Sequence, residues 1–227
     1  LRFEGDGNFY TAAASFTDTA NGQSGIDMSG SAGSSSNNNN STFNTAFILT
    51  QRNGACQRIA DCGNEDLKRE LLPQLARGEL FATVGISHLT TSRQHIRTPA
   101  VQVQIEGGAF RLNGTVPWVT GAAHAQWIVT GGTCADGRQV LLALPTDAPG
   151  VSVQPHAQLM ALTASHTASV ALDDVLLPDS LLLAGPSPEV MKLGQGGGTG
   201  SQVTSTLALG VAGRMVDLLQ GQAKMRE

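Results

Sequence analysis

The chain has 227 residues and a net charge of −4 at neutral pH, from 14 Lys and Arg against 18 Asp and Glu. Nucleic acid is therefore not expected as a partner, because phosphate binding needs clustered positive charge. A content of 41% apolar residues excludes a wholly disordered chain, and the 4% of aromatic residues mean that the core must rely on aliphatic side chains.

The first 42 residues carry almost no periodic apolar pattern. Residues 29–42 read SGSAGSSSNNNNST, which has nothing to bury and predicts a low-complexity, flexible or disordered segment over 1–42. No stretch approaches roughly 18 consecutive apolar residues and no signal peptide is visible, so we expect a cytoplasmic protein without membrane insertion. The three cysteines share no metal-binding spacing, and free thiols are expected.

Residues 43–79 are predicted to be helical, as the remnant of an N-terminal helical domain. Apolar residues recur at about 3.6-residue spacing, with Arg52 and Arg58 facing outward. Asn64 matches a helix N-cap followed by two acidic residues, and Gly78 matches a C-terminal stop. The buried stripe of this second helix is expected to consist of leucines: Leu67, Leu71, Leu72 and Leu75.

From residue 80 to 185 the apolar period changes to two, which predicts a middle domain of short antiparallel strands. The alternation over 101–106 is typical of a half-buried strand. Asn113–Gly114 and Asp136–Gly137 predict two-residue hairpin turns. Because no helix-length segment separates the strands, a parallel α/β sheet is excluded, and the expected class is α+β with an antiparallel β-barrel middle domain.

Residues 186–227 combine a glycine hinge with the first helix of a C-terminal helical domain. The glycines between 194 and 200 lack the spacing of a phosphate-binding loop, so a flexible joint is the better interpretation. Apolar residues then recur every four positions, as in an amphipathic helix. Little else in the sequence is available to cover that apolar face, so we expect an incomplete chain in which partial helical domains flank the barrel.

The segment 117–122 is the most informative for a ligand site. Trp118 and Thr120 stand two apart on a predicted strand, so their side chains should point to the same face. A flat aromatic wall beside a hydroxyl suits a heteroaromatic ring such as isoalloxazine, although an ordinary strand with a buried Trp has the same pattern. The five histidines show no metal-binding spacing, and no metal site is expected.

Several longer segments occur in the order and spacing of one known family. LPQLARGELFATVGIS is followed by GAFRLNGTVPWVTGAAHAQWIV, APGVSV, LMALTASHTASVALDDVLLP and LALGVAGRMVDLL. Over residues 43–227 approximately, the chain therefore resembles the acyl-CoA dehydrogenase family. The resemblance implies a β-barrel between helical domains, FAD at the barrel edge, an acyl-CoA substrate from fatty acid metabolism, and a homo-oligomer at full length.

The resemblance also implies roles for individual residues. Trp118 would lie against the flavin, and the Thr120 hydroxyl would meet the region of flavin N5. Ile86 and Ser87 would offer backbone groups to the pyrimidine edge of the flavin. Ser92 would approximate the family serine near the cofactor pyrophosphate and the thioester.

Two departures from the family pattern affect substrate and catalysis. The loop 88–93 replaces the family's Thr-Glu-Pro and glycine-rich Ser-Asp sequences, which leaves acyl-CoA specificity open. The family's usual catalytic glutamate belongs to late helices that this chain lacks. Asp217 and Glu227 are the only acids on the first C-terminal helix and stand as weak candidate bases, since a solvated helix face explains both.

The expected function is α,β-dehydrogenation of an acyl thioester by a flavin-dependent oxidoreductase, with this chain as an incomplete enzyme. One alternative is a flavin-dependent monooxygenase on the same fold, which needs no base for the α-carbon. Another is a non-catalytic β-barrel fragment without bound flavin. The product formed with oxygen separates the two enzymes, and a visible absorption spectrum tests the fragment.

Overall fold

The computed structural model describes residues 2–6, 9–13, 38–90, 98–159, 162–193 and 202–225. The helices are α1 Asn38–Asp61, α2 Glu65–Arg77 and α3 Gln202–Lys224. The strands are β1 Arg2–Asp6, β2 Phe9–Ala13, β3 Ala82–Gly85, β4 Val101–Glu106, β5 Ala109–Val119, β6 Trp127–Cys134, β7 Gln139–Pro145, β8 Val151–Val153, β9 Ala168–Pro178 and β10 Leu182–Ser187.

Regular structure occurs within the segment 1–42. Strands β1 and β2 pair as an antiparallel hairpin, and α1 begins at Asn38, five residues before the predicted start of the helices. A polar run removes the apolar periodicity on which the prediction depends, but it does not prevent backbone hydrogen bonding. The four domain limits themselves stay a prediction.

Helix α2 forms as its local signals predict. The Asn64 side chain accepts a hydrogen bond from the Leu67 amide at 3.1 Å, and Gly78 ends the helix in the left-handed conformation at φ 71°. The predicted stripe is buried at Leu67, Leu71 and Leu75, while Leu72 is half-buried. Full burial of such a side chain stabilises the fold by about 1.5–3 kcal/mol.

The outward orientation predicted for Arg52 and Arg58 is wrong. Arg52 is 3% exposed, and its guanidinium donates a hydrogen bond to the Leu75 carbonyl in the last turn of α2. The Leu75 carbonyl also accepts from the Gly78 amide at 3.2 Å, so the cation adds a second hydrogen bond to a carbonyl at the end of α2. Arg58 donates to the Gly54 carbonyl at 2.9 Å, and burial lowers the pKa of the Arg58 guanidinium.

Strands β3 to β10 form one curved mixed sheet. The order is β10-β7-β6-β4-β5-β9-β8, and β3 lies beside β6. Most pairs are antiparallel, but β3 and β4 each pair with β6 in parallel. The α+β class is confirmed, whereas the closed antiparallel barrel is corrected to an open sheet. Side-chain alternation indicates which residues face a core but not which strands pair, or in which direction.

Strands β6 and β7 separate two hydrophobic cores. Ile128 and Leu144 face the inner cluster formed with β4, β5 and β9. Val129 and Leu141 face the opposite cluster, which includes the leucines of α2. A strand covered on both faces carries a continuous apolar run, as β7 does. The helices therefore pack on the outer face of β6 and β7, and the inner core lies on the opposite, concave face of the sheet.

The hairpin turn predicted at Asn113–Gly114 is absent, because β5 runs straight through both residues. Gly114 has a φ of 134°, and a Cβ there would lie 2.1 Å from the Ala100 carbonyl oxygen. The pairing of β5 with β9 also shifts register at this point. The dipeptide therefore forms a bulge. A hairpin is confirmed at Asp136–Gly137, but the Cys134 amide donates to the Arg138 carbonyl at 2.7 Å, so the loop between β6 and β7 has three residues rather than the predicted two.

Helix α3 carries its apolar residues into solvent. Every side chain described from 208 to 225 is exposed, including Leu209 at 73% and Leu219 at 68%. Among the helices that the structure describes, α3 included, none is long and apolar enough to cross a bilayer.

Candidate functional site

The candidate site is built where the end of β3 lies against the end of β5. A Cβ at Gly85 would stand 2.7 Å from Val116 Cγ1 and 2.9 Å from Val119 Cγ2, so a glycine permits this close approach. The Thr83 hydroxyl donates to the Thr120 carbonyl at 2.8 Å and joins the two segments again. Of the sequence-predicted residues, Ile86 and Ser87 directly follow β3, whereas Trp118 and Thr120 stand at the end of β5.

Trp118 presents an open aromatic face at this junction. Its side chain is 50% exposed, while the adjacent Val119 is fully buried and anchors the strand. The chain's other tryptophan, Trp127, is half-buried and packs against the helix-facing core. A large exposed ring on a rigid strand offers a stacking surface to a planar ligand. The assignment of that ligand as a flavin stays a prediction.

Thr120 occupies a different environment from Trp118. It is only 5% exposed, and its hydroxyl lies 3.2 Å from that of Thr167, which in turn lies 2.7 Å from that of Ser165. The single open face expected for Trp118 and Thr120 is therefore not formed by the two side chains. The pairing of β5 with β9 is irregular between Val116 and Val119, and this interrupts simple two-residue alternation.

Ser87 supplies the least satisfied polar group of the site. It begins a short 3-10 turn, Ser87–Leu89, directly after β3, and its Oγ is buried with no hydrogen-bond partner among the described residues. An unpaired buried hydroxyl costs about 1–3 kcal/mol, so such groups usually mark a position where a ligand or water binds. The prediction for Ser87 named its backbone and missed its side chain.

The backbone of the same turn is largely occupied by local hydrogen bonds. The Ile86 carbonyl accepts from the Leu89 amide at 3.0 Å, and the Ser87 carbonyl accepts from the Thr90 hydroxyl at 2.7 Å. These bonds fix the conformation of the turn. They occupy the Ile86 and Ser87 carbonyls, whereas the Ser87 hydroxyl has no partner among the described residues.

The other predicted site residues are not part of this junction as described. Ser92 and Glu227 lie outside the described residues. Asp217 lies on α3, where its side chain is exposed. A solvated carboxylate lacks the burial or charged neighbours by which proteins tune a catalytic base. The structure thus provides no added support for Asp217.

A polar cavity of about 880 Å³ opens beside the Ser87–Leu89 turn. Its lining includes His88, Gln102, Gln104, Thr133, Gln139 and Glu189. Gln139 is 5% exposed, yet its Oε1 has no hydrogen-bond partner in the described part of the chain. The size falls in the range of ligand sites, roughly 300–1,000 Å³, and an unpaired amide oxygen is one of the groups that orient a ligand.

The geometry of the cavity wall explains why sequence reasoning missed it. His88 Nε2 lies 2.9 Å from the Gly131 carbonyl, which ties the turn after β3 to β6. Cys134 also lines the cavity, and burial raises the pKa of its thiol, which therefore stays neutral. The lining residues come from separate strands and turns, so no local motif marks them. In the sequence, the only signal for this region was the departure of residues 88–93 from the family pattern.

Comparison with curated proteins finds relatives that match most of this chain but a minor part of their own length. The chain is 27% identical over 170 residues to the probable acyl-CoA dehydrogenase YngJ of Bacillus subtilis, covering 73% of this chain and 44% of that protein. It is 30% identical over 133 residues to acyl-CoA dehydrogenase AFT10-1 of Alternaria alternata, covering 57% and 30%. The chain therefore spans less than half the length of these relatives. No protein-family model matches it.

Solved structures share the fold over a similar portion. A structure described as an FAD-dependent dehydrogenase is 27% identical with a TM-score of 0.55, covering 63% of this chain and 40% of that one. An acyl-CoA dehydrogenase complexed with FAD from Bacillus anthracis is 25% identical with a TM-score of 0.56, covering 63% and 25%. The two curated relatives are named acyl-CoA dehydrogenases, and both solved structures are described as dehydrogenases.

Proposed function

We propose that this chain is a member of the acyl-CoA dehydrogenase family and forms the flavin-binding sheet of an oxidoreductase that dehydrogenates an acyl thioester. The observation that carries the proposal is that β3 and β5 approach closely at Gly85, next to the unpaired Ser87 hydroxyl on one segment and the half-exposed Trp118 ring on the other. The FAD in the Bacillus anthracis structure supports FAD as the cofactor. When bound, FAD would supply the two-electron acceptor for the hydride leaving the β-carbon.

The residues present fit a flavin in two respects. Trp118 offers an apolar wall parallel to which a planar ring can stack, and its strand is fixed by the buried Val116 and Val119. Ser87 offers a hydroxyl whose hydrogen-bonding capacity is unused among the described residues. A hydroxyl can donate one hydrogen bond and accept others, so it suits either a ring nitrogen or a ring carbonyl.

Thr120 serves this proposal as an orienting residue. Its carbonyl is held by Thr83 and its hydroxyl by Thr167, which fixes the backbone immediately after Trp118. Either hydroxyl of this pair can donate, and when Thr167 donates, the Thr120 hydroxyl keeps its proton for an acceptor such as a ring nitrogen. We therefore retain the predicted contact between Thr120 and the flavin N5 region as part of the proposal.

We assign the polar cavity beside Ser87–Leu89 to the thioester substrate. The side chains of Gln102, Gln104 and Gln139 give its wall neutral amide groups. The pantetheine arm of an acyl-CoA carries amides of its own, and paired amides satisfy each other's donors and acceptors. The neutral Cys134 thiol adds no charge to this wall. His88, which lines the cavity, is the first residue of the sequence 88–93 in which the chain departs from the family pattern.

Asp217 and Glu227 remain the candidate bases for the α-proton. The carbonyl of the thioester must be hydrogen-bonded for that proton to become acidic, and a carboxylate must then accept it. A cytoplasmic location, a role in fatty acid metabolism, an incomplete chain and a homo-oligomer belong to the same proposal and rest on the resemblance. No described residue favours the monooxygenase or the flavin-free fragment.

The experiment begins with the purified chain mixed with FAD, desalted, and examined by visible absorption. We expect a retained flavin band, followed by anaerobic bleaching when acyl-CoAs of several chain lengths are added. A colourless, folded protein would contradict the flavin site and support the fragment. A retained flavin that no acyl-CoA bleaches would contradict the dehydrogenase, and a hydroxylated product formed with oxygen would support the monooxygenase.

A further inference from the structure

Three histidines that lie far apart in the sequence meet on the surface of the protein. His124 ends a short turn after β5, His156 follows β8, and His166 precedes β9. The ring centroids of His124 and His166 are 5.1 Å apart, and those of His156 and His166 are 5.0 Å apart. All three residues are exposed, so solvent and dissolved ions reach the cluster.

The separation of two ring nitrogens in this cluster matches a pair of metal ligands. His124 Nε2 lies 3.4 Å from His166 Nδ1, which is long for a hydrogen bond. Zinc binds imidazole nitrogens at about 2.0–2.1 Å with tetrahedral angles, which sets two ligand nitrogens about 3.4 Å apart. The nitrogens therefore already stand at the spacing that the ion requires.

The backbone holds the histidine-bearing segments together. The Gly121 amide donates to the Ser165 carbonyl at 2.9 Å, which links the segments of His124 and His166. The Ala157 amide donates to the Thr167 carbonyl at 2.8 Å, which links the segments of His156 and His166. Each bond lies within three residues of a histidine. Binding an ion would therefore require little ordering of the chain, and pre-organisation of this kind favours affinity.

His166 itself adopts an unusual backbone conformation. Its φ of 48° and ψ of 40° place it in the left-handed region, which a residue with a side chain occupies at a cost. Non-glycine residues in this region concentrate at functional sites. The rings of His156 and His166 are stacked at an interplanar angle of 28°, so His156 limits the rotation of the His166 ring.

We propose that His124 and His166 bind a divalent transition-metal ion such as Zn²⁺, and that His156 is a positioning residue for His166. Neutral imidazole nitrogens are good ligands for this class of ion. Among the described residues no group of three or more ligating side chains is arranged to hold a metal. The ion therefore takes two protein nitrogens and completes its coordination with water. The ligand His166 stands between Ser165 and Thr167, whose hydroxyls hold Thr120, but zinc binding here does not require the flavin proposal.

Zinc titration of the untagged chain, followed by calorimetry without added FAD, tests the proposal. We expect one Zn²⁺ per chain at about pH 7.5. Absence of zinc binding at this pH would overturn the proposal.

Substitutions assign the ligands. His124→Ala and His166→Ala should each weaken zinc binding by at least about tenfold, since each removes one of two protein ligands. Cys56→Ser, which removes a half-buried thiol on α1, is the matched control and should bind zinc as the original chain does. Circular dichroism checks folding, and His124→Gln replaces His124→Ala where folding fails. Zinc affinity equal to that of the original chain in either histidine variant, or loss of zinc binding in Cys56→Ser, would overturn the assignment.

The role of His156 is tested by a pair of variants. His156→Ala removes the ring that stacks on His166 and should weaken zinc binding several-fold. His156→Phe restores a planar ring without a ligand nitrogen and should recover most of that affinity. Equal loss in both variants would contradict a positioning role.

Discussion

Helices α2 and α3 are both amphipathic, yet they lie in opposite environments. Helix α2 buries Leu71 and Leu75 to 1% exposure, whereas α3 leaves Leu209 and Leu219 largely in solvent. The capping and spacing signals of α2 are local, and they predict both the helix and its buried face. The apolar spacing of α3 predicts the helix equally well. The comparison shows that periodicity identifies the face that can be buried but does not identify what covers it.

The largest expected effect distinguishes these two helices directly. Leu71→Ala removes a fully buried side chain and leaves a cavity, so the free energy of unfolding should fall by about 2–5 kcal/mol. Leu219→Ala removes an exposed side chain and should change it by less than about 0.5 kcal/mol. Urea unfolding of both variants measures the difference. A large loss in Leu219→Ala would show that α3 is packed rather than exposed.

Two glycine substitutions again compare a packed position with an exposed position on α3, this time by adding a methyl group instead of removing a side chain. Gly85→Ala forces a methyl group against Val116 and Val119, and overpacking of this kind should cost about 1–3 kcal/mol. Gly213→Ala lies in α3, where a Cβ meets nothing within 4 Å. Alanine favours a helix over glycine by roughly 0.5–1 kcal/mol, so this variant should not lose stability. Thermal unfolding of the pair gives the test, and equal losses would contradict it.

Two buried hydroxyls provide a smaller effect within the sheet. Ser87→Ala removes an Oγ that has no described partner, so the flavin-free chain should keep or gain stability by about 1 kcal/mol. Ser165→Ala removes an Oγ bonded to Thr167 at 2.7 Å and should lose about 1 kcal/mol. Chemical denaturation measures both. Destabilisation of the same size by the two substitutions would mean that Ser87 is satisfied in solution.

The smallest effect concerns a surface ion pair. Arg111 donates to Glu106 at 3.0 Å and also pairs with Asp174, and its hydrogen bond lowers the pKa of Glu106. A lowered pKa stabilises the folded state above the unfolded value of about 4.3, and this contribution is lost as pH falls through the folded pKa. Arg111→Met should raise the pKa of Glu106 towards its ordinary value in an NMR titration.

A matched substitution on α3 completes that test. Arg214→Met removes a cation from the exposed helix and should leave the titration of Glu106 unchanged. A pKa of Glu106 that does not move in Arg111→Met would contradict the pairing. A shift of similar size in Arg214→Met would instead indicate a general effect of net charge.

Prediction from sequence succeeded where the determinants are local. Asn64 and Gly78 act within one turn of α2, and both caps are observed. Asn113–Gly114 carries a local signal that a bulge and a hairpin turn share, so the choice depended on the pairing of β5 with β9. The parallel pairing of β3 with β6 joins segments more than 40 residues apart and has no local sequence signature.

The candidate site shows the same division. Trp118 was selected because the family resemblance covers its segment, since the local pattern alone also fits an ordinary strand, and its role stays a prediction. The polar cavity was not identifiable, because Gln102 and Gln139 meet only through the order of strands β4, β6 and β7. The histidine cluster was missed for the same reason. The positions of His124, His156 and His166 along the sequence do not match a metal-binding spacing, so no local motif marks the cluster.

The most direct test of the flavin site is the FAD affinity of Trp118→Ala compared with that of Leu176→Ala. The two parent side chains are equally exposed, at 50% and 52%, but Leu176 lies on β9 at the far end of its pairing with β5. Loss of aromatic stacking typically costs about 1–3 kcal/mol, so Trp118→Ala should weaken FAD binding by about tenfold or more in a flavin fluorescence titration. Leu176→Ala should bind FAD as the original chain does. Equal FAD affinities in the two variants would contradict the site.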